Sequence, residues 1–361
     1  ILTEAVWLIM SRPVDMIAFH GLQTAIETQE ANGYRYTNPH TLAALGRVTQ
    51  ALIEPYGPAL CRIKERCGPR VALLLSGANT VFGRVMEGGG TRSLHNPLTA
   101  ARFGVDVVYD EDIKDGGLKN YEVLAIPQCR FMLQSVREQI ADFQDAGGTV
   151  LLDTDARIQI PGAVVLPETS ADGTETEQLE LVPGEVIQVE DSPRARLDAD
   201  LRRSAEALRQ TLLPRLRERL FVDSPQPYVV LDARSSGDLR YIFAINDRRQ
   251  AGPYLGQFGA VLERGVPIDA EIRLREAPGA LYDALARREL ETPARDSGGC
   301  STKVQLTPGW GKLLVTVPEP LGPVTLLATD RPATGGPIDI RVQARYASGR
   351  KTTGVVPLQV E

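Results

Sequence analysis

The spacing of apolar residues changes along the chain, and each change predicts a different kind of structure. Residues 3–11 have the period of an amphipathic helix, which Pro13 ends. DMIAFHG at 15–21 then has the continuous apolar pattern of a buried strand. A helix is predicted from Asn38 to about residue 54, with one apolar face and a stop signal after it (Leu42, Leu45, Val48, Thr49 and Leu52; then Pro55, Gly57 and Pro58). Because a lone parallel strand has nothing to pair with, we expect this first stretch to need partners beyond its own residues.

Strands and helices alternate from residue 70 to about residue 165. Four apolar strands are predicted, at 70–76, 104–110, 121–127 and 149–153. Before the last of them, Ser135 to Glu138 have the pattern of a capping box that starts a helix, and Gly147-Gly148 end that helix. Its buried face is predicted to contain Val136, Ile140 and Phe143. This alternation predicts a doubly wound α/β domain with a parallel sheet.

The second half of the chain changes to an all-β pattern. Residues 166–192 are polar and acidic, which indicates a loop or an edge hairpin. A charged helix follows at about 197–220, broken by Pro214, with its charges in solvent and its leucines packed on a domain. After residue 223, short alternating strands separated by Gly, Pro and Asp are typical of β-sandwiches. The proline-rich stretch 317–323 divides off a small second sandwich.

Composition narrows the class of protein. With 43% hydrophobic and 24% charged residues, the 361-residue chain is globular rather than disordered, and its length suits two to three domains. A net charge of −6 argues against a nucleic-acid-binding surface, and no apolar run is long enough for a membrane span. Four cysteines without a CxxC pair form neither a disulfide framework nor a zinc site; Cys61 and Cys67 are interpreted as two thiols, with pairing as the alternative. A start at Ile1 without Met indicates processing or a piece of a longer protein.

The order of these parts resembles the bacterial β-galactosidases and their relatives that carry a trimerisation domain. VWLIMSRPVDMIAFHG (6–21) is similar to the last helix and eighth strand of their barrel, and YGPAL (56–60) to the lead-in to the next domain. YEVLAIPQCRFMLQSVREQIADFQDAGGTVLLD (121–153) is the clearest match, to their amidotransferase-like domain. LRYIFAINDRR (239–249) and GALYDALARREL (279–290) are similar to accessory domains of large glycosidases.

The resemblance implies an α/β plus all-β architecture of five parts. They are the end of a (β/α)8 TIM barrel (1–66), a flavodoxin-like or class I glutamine amidotransferase-like trimerisation domain (67–190), a linker helix (191–222), a β-sandwich domain (223–325) and a small Ig-like β domain (326–361). It also implies a bacterial protein of carbohydrate metabolism, cytoplasmic or secreted, that forms a homo-oligomer, most simply a trimer.

Retaining glycosidases use two carboxylates on either side of the glycosidic bond. In the family these lie at the ends of the fourth and seventh barrel strands. This chain resembles only the part of the family's sequence after the seventh strand, so we expect no catalytic residue in it. Glu4 lies on the helix before the eighth strand and is interpreted as a solvated helix position. No cofactor and no metal ligand is expected.

Three residues are candidates for substrate binding. His20 ends the predicted eighth strand, and barrel enzymes bind substrate at the carboxyl ends of their strands; a hydrogen-bonded structural histidine is the alternative. Tyr34 and Tyr36, in the loop after that strand, could stack on a sugar ring or pack locally. His40 is interpreted as a cap or a solvent-facing residue at a helix start.

Amidotransferase chemistry requires a cysteine on a tight turn after a strand, a histidine that activates it and a carboxylate that orients the histidine. In the family layout the turn follows the fourth strand, where this chain has Asp153 and Asp155 but no cysteine. Cys129 follows the third strand instead, and His95 is the histidine of this domain. The α/β domain is therefore predicted to be a scaffold.

Two further signals have structural interpretations. Gly88-Gly89-Gly90 lacks the remaining residues of a phosphate-binding loop and is interpreted as a flexible loop. Trp310 in the turn PGWGK is interpreted as an edge-packing residue, with sugar stacking as the alternative.

Two functions remain open. In the first, the chain is the C-terminal portion of a glycoside hydrolase acting on β-linked glycosides, β-galactosidase-like, with a carbohydrate as substrate and no nucleic-acid or membrane partner. In the second, it is a non-catalytic assembly or carbohydrate-binding protein built from the same modules. The sugar cannot be named from this chain, because specificity would lie in barrel loops outside it.

Overall fold

The computed structural model describes residues 2–19, 39–83, 89–166, 193–255, 261–291, 294–296, 299–328 and 340–357. The chain divides into two compact units. The first contains Ile1–Cys67, Asp232–Asn246 and Asp269–Glu361, and the second contains Gly68–Leu231 and Asp247–Ile268. Among the described helices, none combines the length and the apolar character needed to cross a lipid bilayer.

The helices and strands follow one another along the chain with short connections. The α-helices are α1 (Leu2–Met10), α2 (Pro39–Val48), α3 (Glu54–Leu60), α4 (Gly77–Gly83), α5 (Gly89–Ala100), α6 (Asp110–Lys114), α7 (Gln134–Asp145) and α8 (Pro193–Leu216). The strands are β1 (Glu65–Arg66), β2 (Arg70–Leu75), β3 (Gly104–Tyr109), β4 (Val123–Ile126), β5 (Thr149–Leu152), β6 (Val164–Val165), β7 (Val222–Asp223), β8 (Val229–Ser236), β9 (Leu239–Asn246), β10 (Arg249–Leu255), β11 (Val261–Gly265), β12 (Ile268–Leu274), β13 (Ala280–Asp283), β14 (Arg288–Glu289), β15 (Ala294–Asp296), β16 (Gly299–Leu306), β17 (Gly311–Val317), β18 (Thr325–Ala328) and β19 (Ile340–Gln343).

A five-stranded parallel sheet forms the centre of the second unit and confirms the predicted doubly wound α/β fold. Its order, β3-β2-β4-β5-β6, is that of flavodoxin-like sheets. Strands buried on both faces must be apolar throughout, which explains why β2, β4 and β5 are continuous apolar runs. The predicted face of α7 (Val136, Ile140 and Phe143) is buried against one side of the sheet, as predicted.

The start of α7 differs from the prediction, whereas its end does not. The helix begins at Gln134 after Leu133, which has no side-chain cap, so Ser135 lies in the first turn and the predicted capping box does not form. Gly147 ends the helix with φ +93°, a left-handed conformation that glycine adopts without steric cost.

The charged helix α8 contributes to the core of the second unit. Leu208, Leu212 and Leu216 are buried on the sheet side, as predicted. Pro214 does not break the helix, because it lies in the last turn, where the loss of one hydrogen bond affects little further helix. The charged residues are not all in solvent: Arg209 is buried and donates to the Ala101 carbonyl at 3.0 Å and to Asp223 at 2.7 Å.

Antiparallel sheets form most of the first unit, at the predicted strand positions. One sheet has the order β1-β8-β9-β17-β13-β14, and β12, β16 and β15 pair in another. Alternate residues of β12 are buried, which is the pattern of a strand with one face on a core. In the region 326–361, the described strands β18 and β19 form a two-stranded ribbon.

Helix α1 packs on this antiparallel sheet. Trp7 is fully buried and meets the edge of Trp310 at 5.9 Å between ring centroids, which confirms the packing interpretation of Trp310. Thr3 donates a hydrogen bond to the Gly309 carbonyl at 2.8 Å. Gly311 permits this close approach, since a β-carbon there would lie 2.8 Å from the indole of Trp7.

Several expectations for the first stretch are wrong. Asp15 to Phe19 form no strand, and Met16 is 80% exposed, because no neighbouring strand pairs with this segment. The helix of 39–54 does not stop at its prolines: a π-turn over Thr49–Ile53 leads directly into α3, where Pro55 takes a first-turn position that needs no N–H bond. Glu4 is 3% exposed, so it is a buried residue rather than a solvated one.

The buried face of α2 and the glycines at the start of α5 also differ from the predictions. In α2 and the π-turn, Val48 and Leu52 are buried as predicted, whereas Leu42 is 39% exposed. Gly89 and Gly90 belong to α5 rather than to a flexible loop. The acidic segment 167–192 lies outside the described residues.

Candidate functional site

The segment that leads towards His20 is anchored by a buried arginine of the first unit. Arg234 is 1% exposed and donates to the carbonyls of Leu60 (3.3 Å), Ile63 (3.0 Å) and Met10. Met10 and Leu60 are the last residues of α1 and α3, so one guanidinium satisfies carbonyls at two helix ends, where positive charge is favourable. Burial lowers the pKa of Arg234 to about 10.

A shallow groove of about 140 Å³ lies beside this anchor. Its apolar lining includes Val14, Met16 and Phe19 from the segment that forms no strand. The three predicted substrate-binding residues, His20, Tyr34 and Tyr36, lie outside the described residues, so their role stays a prediction. The side chain of His40 is likewise outside the description.

The carboxyl edge of the parallel sheet is the second candidate position, because flavodoxin-like folds bind ligands where the strand order reverses. Residues that follow β2, β3, β4 and β5 meet there. Ser76 donates to Asp110 at 2.9 Å, and the backbone N–H of Gln128 donates to both oxygens of Asp153 at 2.9 and 2.8 Å. Gln128 has φ +43°, a strained conformation that this carboxylate holds in place.

Asn79 fills the crevice between these residues. Its amide oxygen accepts from the N–H groups of Arg130 (2.8 Å) and Phe131 (3.1 Å), and its amide nitrogen donates to the Gln128 carbonyl at 3.3 Å. Most polar atoms of the edge are therefore paired within the protein, whereas the Oδ1 atom of Asp110 is buried without a hydrogen-bond partner among the described residues. The side chains of the edge form a rigid junction between loops, with its crevice occupied by the protein itself.

Cys129 at this edge has the environment of a buried structural thiol. The thiol is 1% exposed and donates to the Phe131 carbonyl at 3.2 Å. Burial raises the pKa of the Cys129 thiol to about 12, so no thiolate is present at neutral pH. His95 lies on α5, with its ring nitrogen 3.3 Å from the Asn96 amide oxygen. These contacts support the interpretation of the α/β unit as a scaffold.

The remaining candidate chemistry is also absent from the described part of the chain. Cys61, Cys67, Cys129 and Cys300 are all unlinked thiols, as predicted for the first two. Within the ranges that the structure describes, no three His, Cys, Asp or Glu side chains are grouped so that they could hold a metal ion. Sequence reasoning missed Arg234 and Asn79, because buried polar residues have no periodic signal.

Comparison with known proteins gives a match by structure alone. No protein-family profile and no curated protein sequence matches the chain. α-L-Fucosidase isoenzyme 2 from Paenibacillus thiaminolyticus matches with a TM-score of 0.55 and 14% identity, over 88% of this chain and 57% of the fucosidase. This likeness shows a fold shared with a glycoside hydrolase.

Two further solved structures have lower scores. The apo exo-carrageenase GH42 from Bacteroides ovatus has a TM-score of 0.43 and 9% identity over 81% of this chain. Gan42B, a GH42 β-galactosidase from G. stearothermophilus, has a TM-score of 0.43 and 15% identity over 80% of this chain. The chain spans 35% of the exo-carrageenase and 45% of Gan42B, so it corresponds to about a third to a little over half of these three proteins.

Proposed function

We propose that this chain is the C-terminal portion of a glycoside hydrolase that acts on β-linked glycosides, β-galactosidase-like. In this proposal it supplies the end of the barrel, an oligomerisation domain and accessory β domains, and the catalytic carboxylates lie in polypeptide that precedes Ile1. The observation that carries the proposal is the fold shared with a glycoside hydrolase over 88% of the chain.

The exposed segment before His20 supports the barrel interpretation. Residues 16–19 are apolar and form no strand, and Met16 and Phe19 are 80% and 39% exposed. A parallel barrel strand is buried on both faces and hydrogen-bonded on both edges, and such a strand is stable only with its neighbours. We infer that seven preceding barrel strands would cover these side chains.

The α/β unit has an apolar surface suited to its proposed role in oligomerisation. Phe82 and Phe131 contact each other with ring centroids 5.0 Å apart, and Val81 lies beside them in sequence. All three are exposed, at 66%, 39% and 69% respectively. Clustered exposed apolar side chains favour a protein–protein interface, here with further copies of the same chain as a cyclic trimer.

The catalytic proposal is tested with two polypeptides. The whole reading frame, extended upstream by the roughly 200–250 residues of a barrel, should hydrolyse an aryl β-D-galactoside. Residues 1–361 alone should show no turnover, because both carboxylates are missing. A folded whole protein that is inactive on this substrate would contradict the β-galactosidase-like assignment. Hydrolysis by residues 1–361 that disappears in Glu4→Gln would contradict the proposal that the carboxylates lie elsewhere.

A second substrate is favoured by one observation, namely that the matching fold belongs to an α-L-fucosidase. The same whole protein should therefore be assayed with an aryl α-L-fucoside. Preference for the fucoside would keep the glycosidase proposal and replace the sugar. Inactivity towards both, with the chain folded and oligomeric, would favour the alternative of a non-catalytic assembly or carbohydrate-binding protein.

Light scattering tests the oligomer separately from catalysis. Residues 1–361 should have a trimeric mass at tens of micromolar, and Phe82→Glu should shift the mass to that of a monomer, because a carboxylate at the patch opposes burial. Phe19→Glu, an exposed phenylalanine of the first unit, is the matched control and should leave the mass unchanged. A monomeric wild-type chain would refute the trimer.

A further inference from the structure

A concave space among the described residues of the first unit lies between α3, the turn after β13 and residues 355–357. It is a cavity of about 290 Å³ that continues into a wider cleft of about 760 Å³, and both share Tyr56 and Arg287. Such a volume is at the lower end of the range for small-molecule sites and suits a single sugar ring. Nothing in the proposed catalytic function uses this cavity.

Three tyrosines form its walls, and their hydroxyl groups are already engaged. Tyr56 donates to the Ala284 carbonyl, Tyr241 donates to the Val355 carbonyl, and the hydroxyl of Tyr282 accepts from the Leu321 N–H at 2.9 Å. Because the hydroxyls bind backbone groups, the rings are held in fixed orientations. Tyr241 is fully buried behind this wall, so Tyr56 and Tyr282 present the rigid aromatic surface, which costs a ligand little ordering of the protein.

The charged groups at the cavity favour an anion. Arg287 and Arg288 are exposed at its mouth, whereas the nearby carboxylate of Asp283 is 1% exposed and already paired with Lys312. In the wider cleft Arg62 and Glu54 balance each other. Arg287 contacts the Tyr56 hydroxyl, and the Glu289 carboxylate lies at the Tyr282 hydroxyl. The two arginines and this one carboxylate therefore leave a small net positive charge at the mouth, on a chain whose net charge is −6.

The backbone of Arg287 provides an independent observation. Its φ is +52°, in the left-handed region where glycine or asparagine is the favourable residue and where a long side chain is strained. Residues with a strained backbone cluster at ligand sites, because the strained conformation places the side chain where it can bind. Arg287 lies in the turn between β13 and β14 and lines the same cavity as the three tyrosines.

We propose that this cavity binds an acidic saccharide unit, one carrying a carboxylate or a sulfate group. The sugar ring lies against the rings of Tyr56 and Tyr282, and Arg287 and Arg288 bind the acidic group with charge-assisted, bidentate hydrogen bonds. This proposal does not depend on the proposed hydrolase function.

Isothermal titration calorimetry of residues 1–361 tests the proposal with D-galacturonate and D-galactose 6-sulfate, and with neutral D-galactose as the control ligand. Both acidic sugars should bind at least tenfold more tightly than galactose, because hydrogen bonds between charged groups are the strong ones. Binding of one acidic sugar only would identify the acidic group. Equal binding of galactose, or no heat with either acidic sugar at tens of millimolar, would overturn the proposal.

Variants locate the binding to this cavity. Arg288→Ala and Arg287→Gly should each weaken binding of the acidic sugars about tenfold or more, and Arg287→Gly also removes the backbone strain, so its folding should be intact. Arg273→Ala is the matched control: it removes an exposed arginine that pairs with Glu271 at 2.8 Å, away from the cavity lining. Should Arg287→Gly fail to fold, Arg287→Lys replaces it. Undiminished binding in the cavity variants would overturn the site.

Discussion

Replacing Arg234 should destabilise the first unit more than any replacement of a surface arginine. Its guanidinium donates to three carbonyls, two of them at helix ends, and lies 4.8 Å from the ring centroid of Phe243. In Arg234→Met these carbonyls stay buried without a donor. Hydrogen bonds from a charged group contribute about 1.5–3 kcal/mol each, so the gross loss is about 5–9 kcal/mol.

Part of this loss is offset, because the buried charge is itself unfavourable. A pKa that falls from 12.5 to about 10 corresponds to about 3 kcal/mol of desolvation that the methionine variant does not suffer. The expected net loss is therefore about 2–6 kcal/mol, close to the cost of breaking other buried charged pairs. Arg234→Lys should fall between the wild type and Arg234→Met, since an ammonium keeps the charge but not the planar fork.

Tryptophan fluorescence in a urea titration measures this loss in the first unit alone. The chain has two tryptophans, Trp7 and Trp310, and both belong to that unit. A loss of about 3 kcal/mol should lower the urea midpoint by about 1–1.5 M. Arg273→Met, at an exposed ion pair, is the control and should cost less than about 0.5 kcal/mol. If Arg234→Met unfolds within about 1 kcal/mol of the wild type, the argument from the helix-end carbonyls is wrong.

Three further outcomes follow from contacts in the two units. Gly311→Ala should destabilise the first unit by about 1–3 kcal/mol, because its β-carbon would overlap the indole of Trp7. Gly46 is a helical glycine with no other atom within 4 Å of the position of a β-carbon, so Gly46→Ala should stabilise the unit by about 0.5–1 kcal/mol. Thermal unfolding measures both changes. Burial raises the pKa of Asp223, but hydrogen bonds and charges of two neighbouring arginines hold that pKa below its usual 3.8. The ionised carboxylate therefore stabilises the second unit at neutral pH, and this stabilisation is lost as the pH falls through the lowered pKa. Asp223→Asn should be less stable than the wild type at pH 7, and its acid unfolding, followed by circular dichroism, should lack this step. The Cys129 thiol should resist a disulfide reagent at pH 8 until the chain is denatured, and glutamine should release no ammonia from either the wild type or Cys129→Ala; cysteine-dependent ammonia release would refute the scaffold interpretation.

The α/β unit was predictable from sequence because its elements follow simple periods. Strands buried on both faces are continuous apolar runs, and α7 has an apolar face at helical spacing, so both kinds of element are visible without knowledge of the fold. The antiparallel strands were predictable for the same reason. Both patterns reflect which residues of a segment are buried, so they predict which side chains face a core.

Features that depend on tertiary contacts were not predictable. The prolines at 55 and 214 have the pattern of helix stops, yet one lies in a first turn and the other in a last turn, where an N–H is not required or matters little. The strand predicted at 15–21 has the right composition, but a strand also needs partners. Glu4, Arg209 and Arg234 are buried because specific polar groups meet them across the fold, and no single segment records that arrangement.

The candidate site was less predictable than the fold. Sequence reasoning chose His20, Tyr34 and Tyr36 from their place after a barrel strand, and those positions stay predictions. The cavity at Tyr56 and Arg287 combines residues that lie more than 200 positions apart in sequence, joined by the hydrogen bond from Tyr56 to Ala284. Such a combination becomes visible only when the chain is folded.

The contact between Thr3 and Gly309 also determines when the first unit can form on the ribosome. These residues are 306 positions apart, and at about 5–20 residues per second the ribosome needs about 15–60 s to make the chain between them. During that interval Trp7 and the rest of α1 have no β17 to pack on, whereas most of the second unit is one continuous segment, Gly68–Leu231, that can fold as soon as it emerges. The apolar face of α1 therefore stays exposed to solvent until β17 has been synthesised. Slower translation lengthens the time in which chaperones or proteases can bind this helix.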